Sequence, residues 1–283
     1  MKKILLLFFI STISFSQSNT EVYLYDISQK DGHWKVTNGK NISNNKGYDS
    51  QPHFYSKKSI LFASTRNKQT DIAKYNINSG RVKFISNTPN GGEYSPQRIP
   101  KSKDISAVRL DLNGLQRFYK YDNKTKKIKE LIPDLKVAYP MWYKKNIAIV
   151  ISIVREDLDL IIHNLKSKKN TTIQKKVGRS LHKIPNTKMI SYVSKTKDVW
   201  EIMSLNPKTK TIKKIINSIG QSEDICWLPN GTLLLANKNS IMKFNPKTDK
   251  DWSVFHNFPK EKHMNISRII VNKEGKKLAL VSE

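Results

Sequence analysis

The chain reads as an all-β protein, a six-bladed β-propeller of four-stranded antiparallel blades. Three observations predict it. Short apolar strands recur at a fixed period, and a second kind of strand, ending in Asp or Asn, recurs in step with them. The two ends of the chain hold complementary halves of one repeat. Helical periodicity is absent beyond the first stretch of the chain.

The first kind of strand follows a polar or acidic step and begins near Ser50, Ser95, Tyr139, Leu181, Asp224 and Ser267, at spacings of 45, 44, 42, 43 and 43 residues. Pro52, Pro96 and Pro140 mark three of these strands in register. The second marker is an apolar or aromatic strand closing on Tyr25-Asp26, Tyr75-Asn76, Tyr121-Asp122, His163-Asn164, Leu205-Asn206 and Phe244-Asn245. Asp and Asn bond their own backbone two residues on and tolerate tight turns, so a hairpin is expected after each. Between the markers each unit carries one more apolar strand, as in residues 60–64, 105–110 and 147–153, and after the second marker a more polar one, as in 82–85 and 128–131. Four short strands in about 43 residues is the size of one propeller blade.

The chain starts on a second-marker strand over 22–26, with another strand over 34–37, and ends on a first and second strand over 267–271 and 278–281. One blade is therefore expected to take its inner pair from the C-terminus and its outer pair from the N-terminus. That closes the ring and removes two sheet edges. The blades are placed at about 45–88, 89–134, 135–178, 179–220, 221–262, and 263–283 with 20–44, in one domain over 17–283.

Residues 1–16 are read as a secretory signal. Lys2 and Lys3 precede a short apolar run, and Ser14-Phe15-Ser16 is a small-x-small cleavage site that leaves Gln17 first. The run is too short to span a bilayer, and no later segment is long and apolar enough. A periplasmic or secreted protein is expected. The single cysteine, Cys226, forms no internal disulfide, leaves no lipid-anchoring cysteine behind the apolar run, and lies in the apolar stretch Ile225-Cys226-Trp227-Leu228, where a buried, inert thiol is expected.

Net charge is +28, falling to +26 without Lys2 and Lys3. Such a balance suits nucleic acid, membrane or polyanion partners. Export argues against nucleic acid, and the excess is nearly all Lys, beside abundant Asn, as an AT-rich genome alone would give. In a propeller the turns between strands one and two and between strands three and four share one face. Here they hold Lys57-Lys58, Lys101 and Lys103, Lys126-Lys127, Lys144-Lys145, Lys168-Lys169, Lys208 with Lys210, and Lys276-Lys277. One strongly positive face is expected, either a solvated surface or a contact for anionic envelope material.

The sequence has no Gly-x-Ser-x-Gly elbow, no His-Glu-x-x-His, no paired cysteines and no phosphate-cradling glycine loop. Propeller sites gather single residues from several blades, so the channel mouth is the place to look. Candidates carried by the first strands and their entry loops are Asp49, Gln51, His53, Glu93, Tyr94, Arg98, Tyr139, Arg179, His182, Glu223, Asp224 and Arg268. They could bind a polar ligand or a peptide, or pair with one another between blades. Trp142, Trp227 and Tyr94 are read as interblade packing. Arg66 and Asp71 are read as a structural ion pair. No metal or cofactor is expected, since His53 and His182 lack metal-ligand spacing.

The stretches Ser50-Gln51-Pro52-His53-Phe54, residues 60–64 with Arg66, Asp71-Ile72, Glu93-Tyr94-Ser95-Pro96 and Gly178-Arg179-Ser180-Leu181-His182 resemble the TolB-like propeller repeat. The likeness runs over nearly all of the chain after residue 16 and is similar to stand-alone periplasmic relatives in Bacteroidetes. It implies a six-bladed fold and a protein-binding role, with no catalytic residues. Lys57-Lys58, Lys144-Lys145 and Pro185-Asn186 stand where that repeat has a Ser-Pro-Asp-Gly turn, and no counterpart of TolB's separate N-terminal domain is seen. The reading is an exported, monomeric, non-catalytic binding or scaffold module for a protein or peptide. The alternative is a propeller enzyme, of lyase or cyclotransferase type, using a Glu, an Arg and a His at the mouth.

Overall fold

A computed structural model describes residues 19–283; the expected signal segment and its cleavage point lie outside them. The chain forms strands and no helices among the described residues. First come β1 (Glu21–Lys30) and β2 (His33–Asn41). Blade 1 is β3 (Asp49–Ser56), β4 (Ser59–Arg66), β5 (Gln69–Asn76) and β6 (Val82–Phe84). Blade 2 is β7 (Gly91–Arg98), β8 (Ile105–Asp111), β9 (Gln116–Tyr121) and β10 (Ile128–Ile132). Blade 3 is β11 (Val137–Lys144), β12 (Ile147–Val154), β13 (Asp157–Asn164) and β14 (Lys169–Gln174). Blade 4 is β15 (Val177–Lys183), β16 (Ile190–Ser194), β17 (Glu201–Leu205) and β18 (Ile212–Asn217). Blade 5 is β19 (Ile225–Trp227), β20 (Leu233–Asn237), β21 (Ser240–Phe244) and β22 (Ser253–Asn257). The chain ends on β23 (Ile266–Val271) and β24 (Lys277–Ser282).

The sixth blade is the sheet β2-β1-β24-β23, so the two ends of the chain close the ring as the split repeat predicts. β1 and β24 pair antiparallel from Glu21 opposite Ser282 to Asp26 opposite Lys277, and Lys277 Nζ meets Asp26 Oδ1 at 2.5 Å. No single core exists. Six apolar layers lie between neighbouring blades, one for each interface of the ring. This explains why second strands read as unbroken apolar runs. On β4, Ile60 and Phe62 pack toward blade 6 while Leu61 packs toward blade 2, so period-2 alternation serves two buried faces. Removing the fully buried Phe62 ring would cost about 3–5 kcal/mol.

The Asp or Asn closing the third strand works as its turn chemistry requires in blades 1 to 5, whereas in blade 6 β1 runs through Asp26 to Lys30 and the turn falls at Asp31-Gly32, because ladder pairing with β2 continues past Asp26. Asn76 Oδ1 accepts the N–H groups of Asn78 and Ser79, each at 3.0 Å, and Asp122 Oδ1 accepts those of Lys124 and Thr125 at 3.0 and 2.9 Å. Asn164 and Asn206 repeat the arrangement. In four of these turns one residue takes positive φ. Gly80 supplies it in blade 1 (φ 68°), but Lys126, Lys168 and Lys210 take it in blades 2, 3 and 4 (φ 62°, 55° and 63°).

Candidate functional site

The first strands bound the central channel, and most of them carry a register shift: Ser50/His53, Tyr94/Gln97, Val137/Tyr139, Val177/Leu181 and Ile266/Arg268. A bulge bends its strand and re-aims the side chains beside it. Pro52 and Pro96 sit within these bulges and Pro140 just after one, paired with Val150, all on edge strands where a missing N–H leaves no ladder bond unmade. Gln51 and Ser95, just before two of the prolines, have φ of 58° and 49°. Their left-handed backbone is pinned by a bond from Ser95 N–H to Gln51 Oε1 at 2.7 Å, which also ties blade 2 to blade 1.

The channel holds a cavity of about 360 Å³. Its wall includes Gln51, His53, Arg98, Tyr139, Arg179, His182 and Arg268, drawn from blades 1, 2, 3, 4 and 6. Glu223 and Asp224 stand beside it, in the entry to blade 5, and are held there by cations. Arg179 reaches Asp224 through two bonds, Nη2 to Oδ2 at 2.7 Å and Nε to Oδ1 at 3.2 Å. Arg268 Nη1 reaches the same carboxylate at 3.0 Å. Glu223 accepts the Arg179 backbone N–H at 2.9 Å and meets Lys195 Nζ at 2.9 Å. Gly178 is required by this approach, because a Cβ there would collide with Glu223 Oε2.

The rings of His53 and His182 make no hydrogen bond to any described residue. Burial pushes both imidazoles down to about 4, with His53 adding to the shift of His182, so both rings are neutral groups in the channel wall at pH 7. Arg268 lies over the Tyr139 ring with its guanidinium carbon 5.8 Å from the centroid. Arg98 donates to the carbonyls of Ser102 at 2.7 Å and Tyr55 at 3.3 Å.

Asp49, Glu93 and Tyr94 are not in the cavity wall. Alternation along the first strands turns them into the blade interfaces instead. Glu93 is fully buried and accepts from Ser86 Oγ and Tyr121 Oη, each at 3.0 Å, and from Thr88 Oγ1. Its carboxyl is pushed up to about 7, by burial first and by nearby Asp71 second. Asp49 is fully buried near Glu21 at the junction of blades 6 and 1, and burial pushes it up to about 6. Tyr94 packs with Val108 and near Tyr48, its hydroxyl 3.5 Å from Thr70 Oγ1. Trp142 and Trp227 also lie between blades, their indole N–H groups donating to Ser106 and Ser191 at 2.8 Å. Arg66 Nη2 stands 3.7 Å from Asp71 Oδ2.

Four polar wall residues escaped the sequence reading as site residues, Ser95, Gln97, Ser180 and Lys183. Gln97 was within reach of it, since it stands 44 residues after His53, one repeat on. Among the described residues no three His, Cys, Asp or Glu side chains lie close enough to hold a metal ion, and no helix is long and apolar enough to cross a membrane.

No family model and no curated protein matches the sequence. Solved structures do match in fold. A putative TolB from Agrobacterium tumefaciens superposes with a TM-score of 0.71 at 9% identity, over 93% of this chain and 98% of that one. This chain has the fold of the TolB-like six-bladed propellers. A chain of the nidogen/laminin complex gives a TM-score of 0.64 at 11% identity, over 93% and 98% of the two chains. An oligogalacturonate lyase from Vibrio parahaemolyticus gives 0.57 at 13% identity, over 91% and 78%. At such identities the likeness is one of architecture, which binders and an enzyme share.

Proposed function

We propose that the protein is an exported, non-catalytic binding or scaffold module of the cell envelope, monomeric, which takes a protein or peptide segment at its channel mouth. One observation carries this: side chains from five blades converge on one open cavity, while every carboxylate near it is already held by a cation. A propeller enzyme needs an acid and a base free to exchange a proton with substrate. Glu223 and Asp224 are tied to Arg179, Arg268 and Lys195, and Glu93 is sealed between blades. A propeller of this fold in the nidogen/laminin complex, and the TolB-like propellers, support a protein partner over a small substrate. The exposed lysines on the opposite face suit anionic envelope material.

Panning a displayed random-peptide library on the immobilised protein tests the reading. A motif whose binding is lost in Tyr139→Ala and Arg268→Gln is the expected result. No enrichment, or a motif that binds both variants as well as the parent, overturns it.

A further inference from the structure

We infer that the channel contains a carboxylate-binding subsite, in which His53, His182 and the free edge of Arg268 receive an acidic group of the partner. This rests on the reading of the protein as a peptide-binding module and supplies the chemistry of what it binds.

The first ground is the sign of the wall. Arg98, Arg179, Lys183 and Arg268 line the cavity, and no Asp or Glu does. The two nearest carboxylates are shared among three cations, Asp224 between Arg179 and Arg268, and Glu223 between Arg179 and Lys195. Arg98 and Lys183 have no carboxylate partner among the described residues. A narrow, low-dielectric channel of one sign focuses its field on whatever enters.

The second ground is unused donors. Both bonds of the Arg268 guanidinium, to Asp224 Oδ1 at 3.0 Å and to the Ser267 carbonyl at 2.6 Å, come from Nη1. Nη2 and Nε make none among the described residues. Two adjacent N–H groups on a planar fork match the two oxygens of a carboxylate. The Tyr139 ring and Asp224 fix that fork in place, so little order is lost when it binds. His53, His182, Lys183 and the Gln51 amide likewise have no acceptor for their side-chain N–H groups, although they line the same cavity. These side chains are half-buried, and Lys183 is exposed, so their donors are open to whatever enters the cavity, and a set that converges there points to one shared acceptor.

The third ground is size. About 360 Å³ is roughly twelve water volumes, room for an acidic side chain or a chain terminus but not for a folded element. Arg179, by contrast, is consumed by Glu223 and Asp224 and serves as the wall that holds those acids away from the ligand.

The test uses three capped tripeptides and succinate, read by NMR of the histidine rings and by titration calorimetry. Acetyl-Gly-Asp-Gly-amide presents a side-chain carboxylate. Acetyl-Gly-Gly-Gly presents only a terminal one, and acetyl-Gly-Asn-Gly-amide presents none. The expected result is that succinate and one of the two acidic peptides shift the His53 and His182 rings and the Asn peptide does not. The acidic peptide that binds identifies the source of the carboxylate. Arg268→Gln should weaken binding by about tenfold or more, the loss expected for a charged hydrogen bond. His53→Asn with His182→Asn gives a second variant that leaves the arginine network intact and should weaken it as well. Equal binding of the Asn peptide, or no response to any probe because the donors are met by water alone, overturns the subsite. Succinate that binds and is lost in the variants, with no peptide recovered from panning, keeps the subsite and sinks the peptide-module reading. Panned peptides that bind without an acidic group do the reverse.

Discussion

Glu93→Gln should make the protein more stable at alkaline pH and leave it nearly unchanged in acid. The reason lies in one proton. Ser86 Oγ sits 3.1 Å from Asp71 Oδ1 and 3.0 Å from Glu93 Oε2, yet a hydroxyl has one hydrogen to give. Glu93 Oε1 already accepts from Tyr121 and Thr88, so the arrangement closes when Glu93 Oε2 carries a proton, donates to Ser86, and Ser86 donates to Asp71. Arg66 beside Asp71 keeps the charge there. The carboxyl of Glu93 is raised to about 7 from an ordinary value near 4.5. Below about 4.5 both folded and unfolded chains hold this proton, and the group costs nothing. Between the two values the unfolded chain releases it and the folded one keeps it, so stability falls as pH rises; above about 7 the full cost is present. A shift of this size corresponds to about 3–4 kcal/mol. Gln reproduces the protonated form, its amide donating to Ser86 and its oxygen accepting from Thr88 and Tyr121. Urea unfolding followed by tryptophan fluorescence, at a pH near 5 and one well above 7, should show the variant ahead by about 3–4 kcal/mol only in the second. His53, His182 and His263, all pushed down to about 4 by burial, lower stability as pH falls from their ordinary value, but equally in both proteins. A variant that is no more stable than the parent above pH 7, or that gains equally in acid, refutes the shared-proton account.

Deleting residues 21–37 strips β24 of its partner and opens two sheet edges, so cooperative unfolding should be lost and aggregation should appear in light scattering; a soluble truncated protein with an unchanged melting transition would contradict the closure. Changing Lys126, Lys168 or Lys210 to Gly relieves a side chain held at positive φ and should raise stability by about 0.5–1 kcal/mol each in denaturant titration. Retention on anionic lipid vesicles should fall steeply from low to high salt, because the attraction is screened beyond about 8 Å at physiological ionic strength. Lys-to-Gln changes at Lys57-Lys58, Lys126-Lys127, Lys144-Lys145 and Lys208 with Lys210 should abolish it, and salt-insensitive retention would leave these exposed lysines as a solvated surface. The exported protein should begin at Gln17 by intact mass.

The ring was legible because its determinants are local and repeated. Asx residues at the ends of third strands, apolar second strands and a split terminal unit each recur at the blade period, and each has a short-range cause. The turn at Asn206 is made by its own side chain on the N–H groups of Lys208 and Thr209, and nothing distant is needed to see it. Closure could be read for the same reason, since half a blade at each end has only one partner available. The strands themselves run longer at β2, which reaches from His33 to Asn41, because ladder pairing with β1 continues past the apolar residues that mark it.

The site was legible only as a set of strands. Which side chain of a first strand enters the channel depends on the bulges, and a one-residue shift moves a side chain to the other face. Counting along β7 without its shift puts Glu93 at the mouth; the shift between Tyr94 and Gln97 brings Gln97 to the wall and leaves Glu93 between blades. On β15 the shift lies between Val177 and Leu181, and Arg179 and His182 both reach the cavity. Charge was misleading for a related reason. A net charge of +28 draws attention to the lysine turns, yet the ion pairs that shape the channel belong to two arginines, Arg179 and Arg268, whose carboxylate partners sit 44 or 45 residues away, on the neighbouring blade. A composition cannot separate a solvated lysine from an arginine fixed by a neighbouring blade. The repeat spacing can, because it tells which residues meet across an interface. Arg179 with Glu223 and Arg268 with Asp224 are each such a pair, and both hold a carboxylate away from the space that the histidines face.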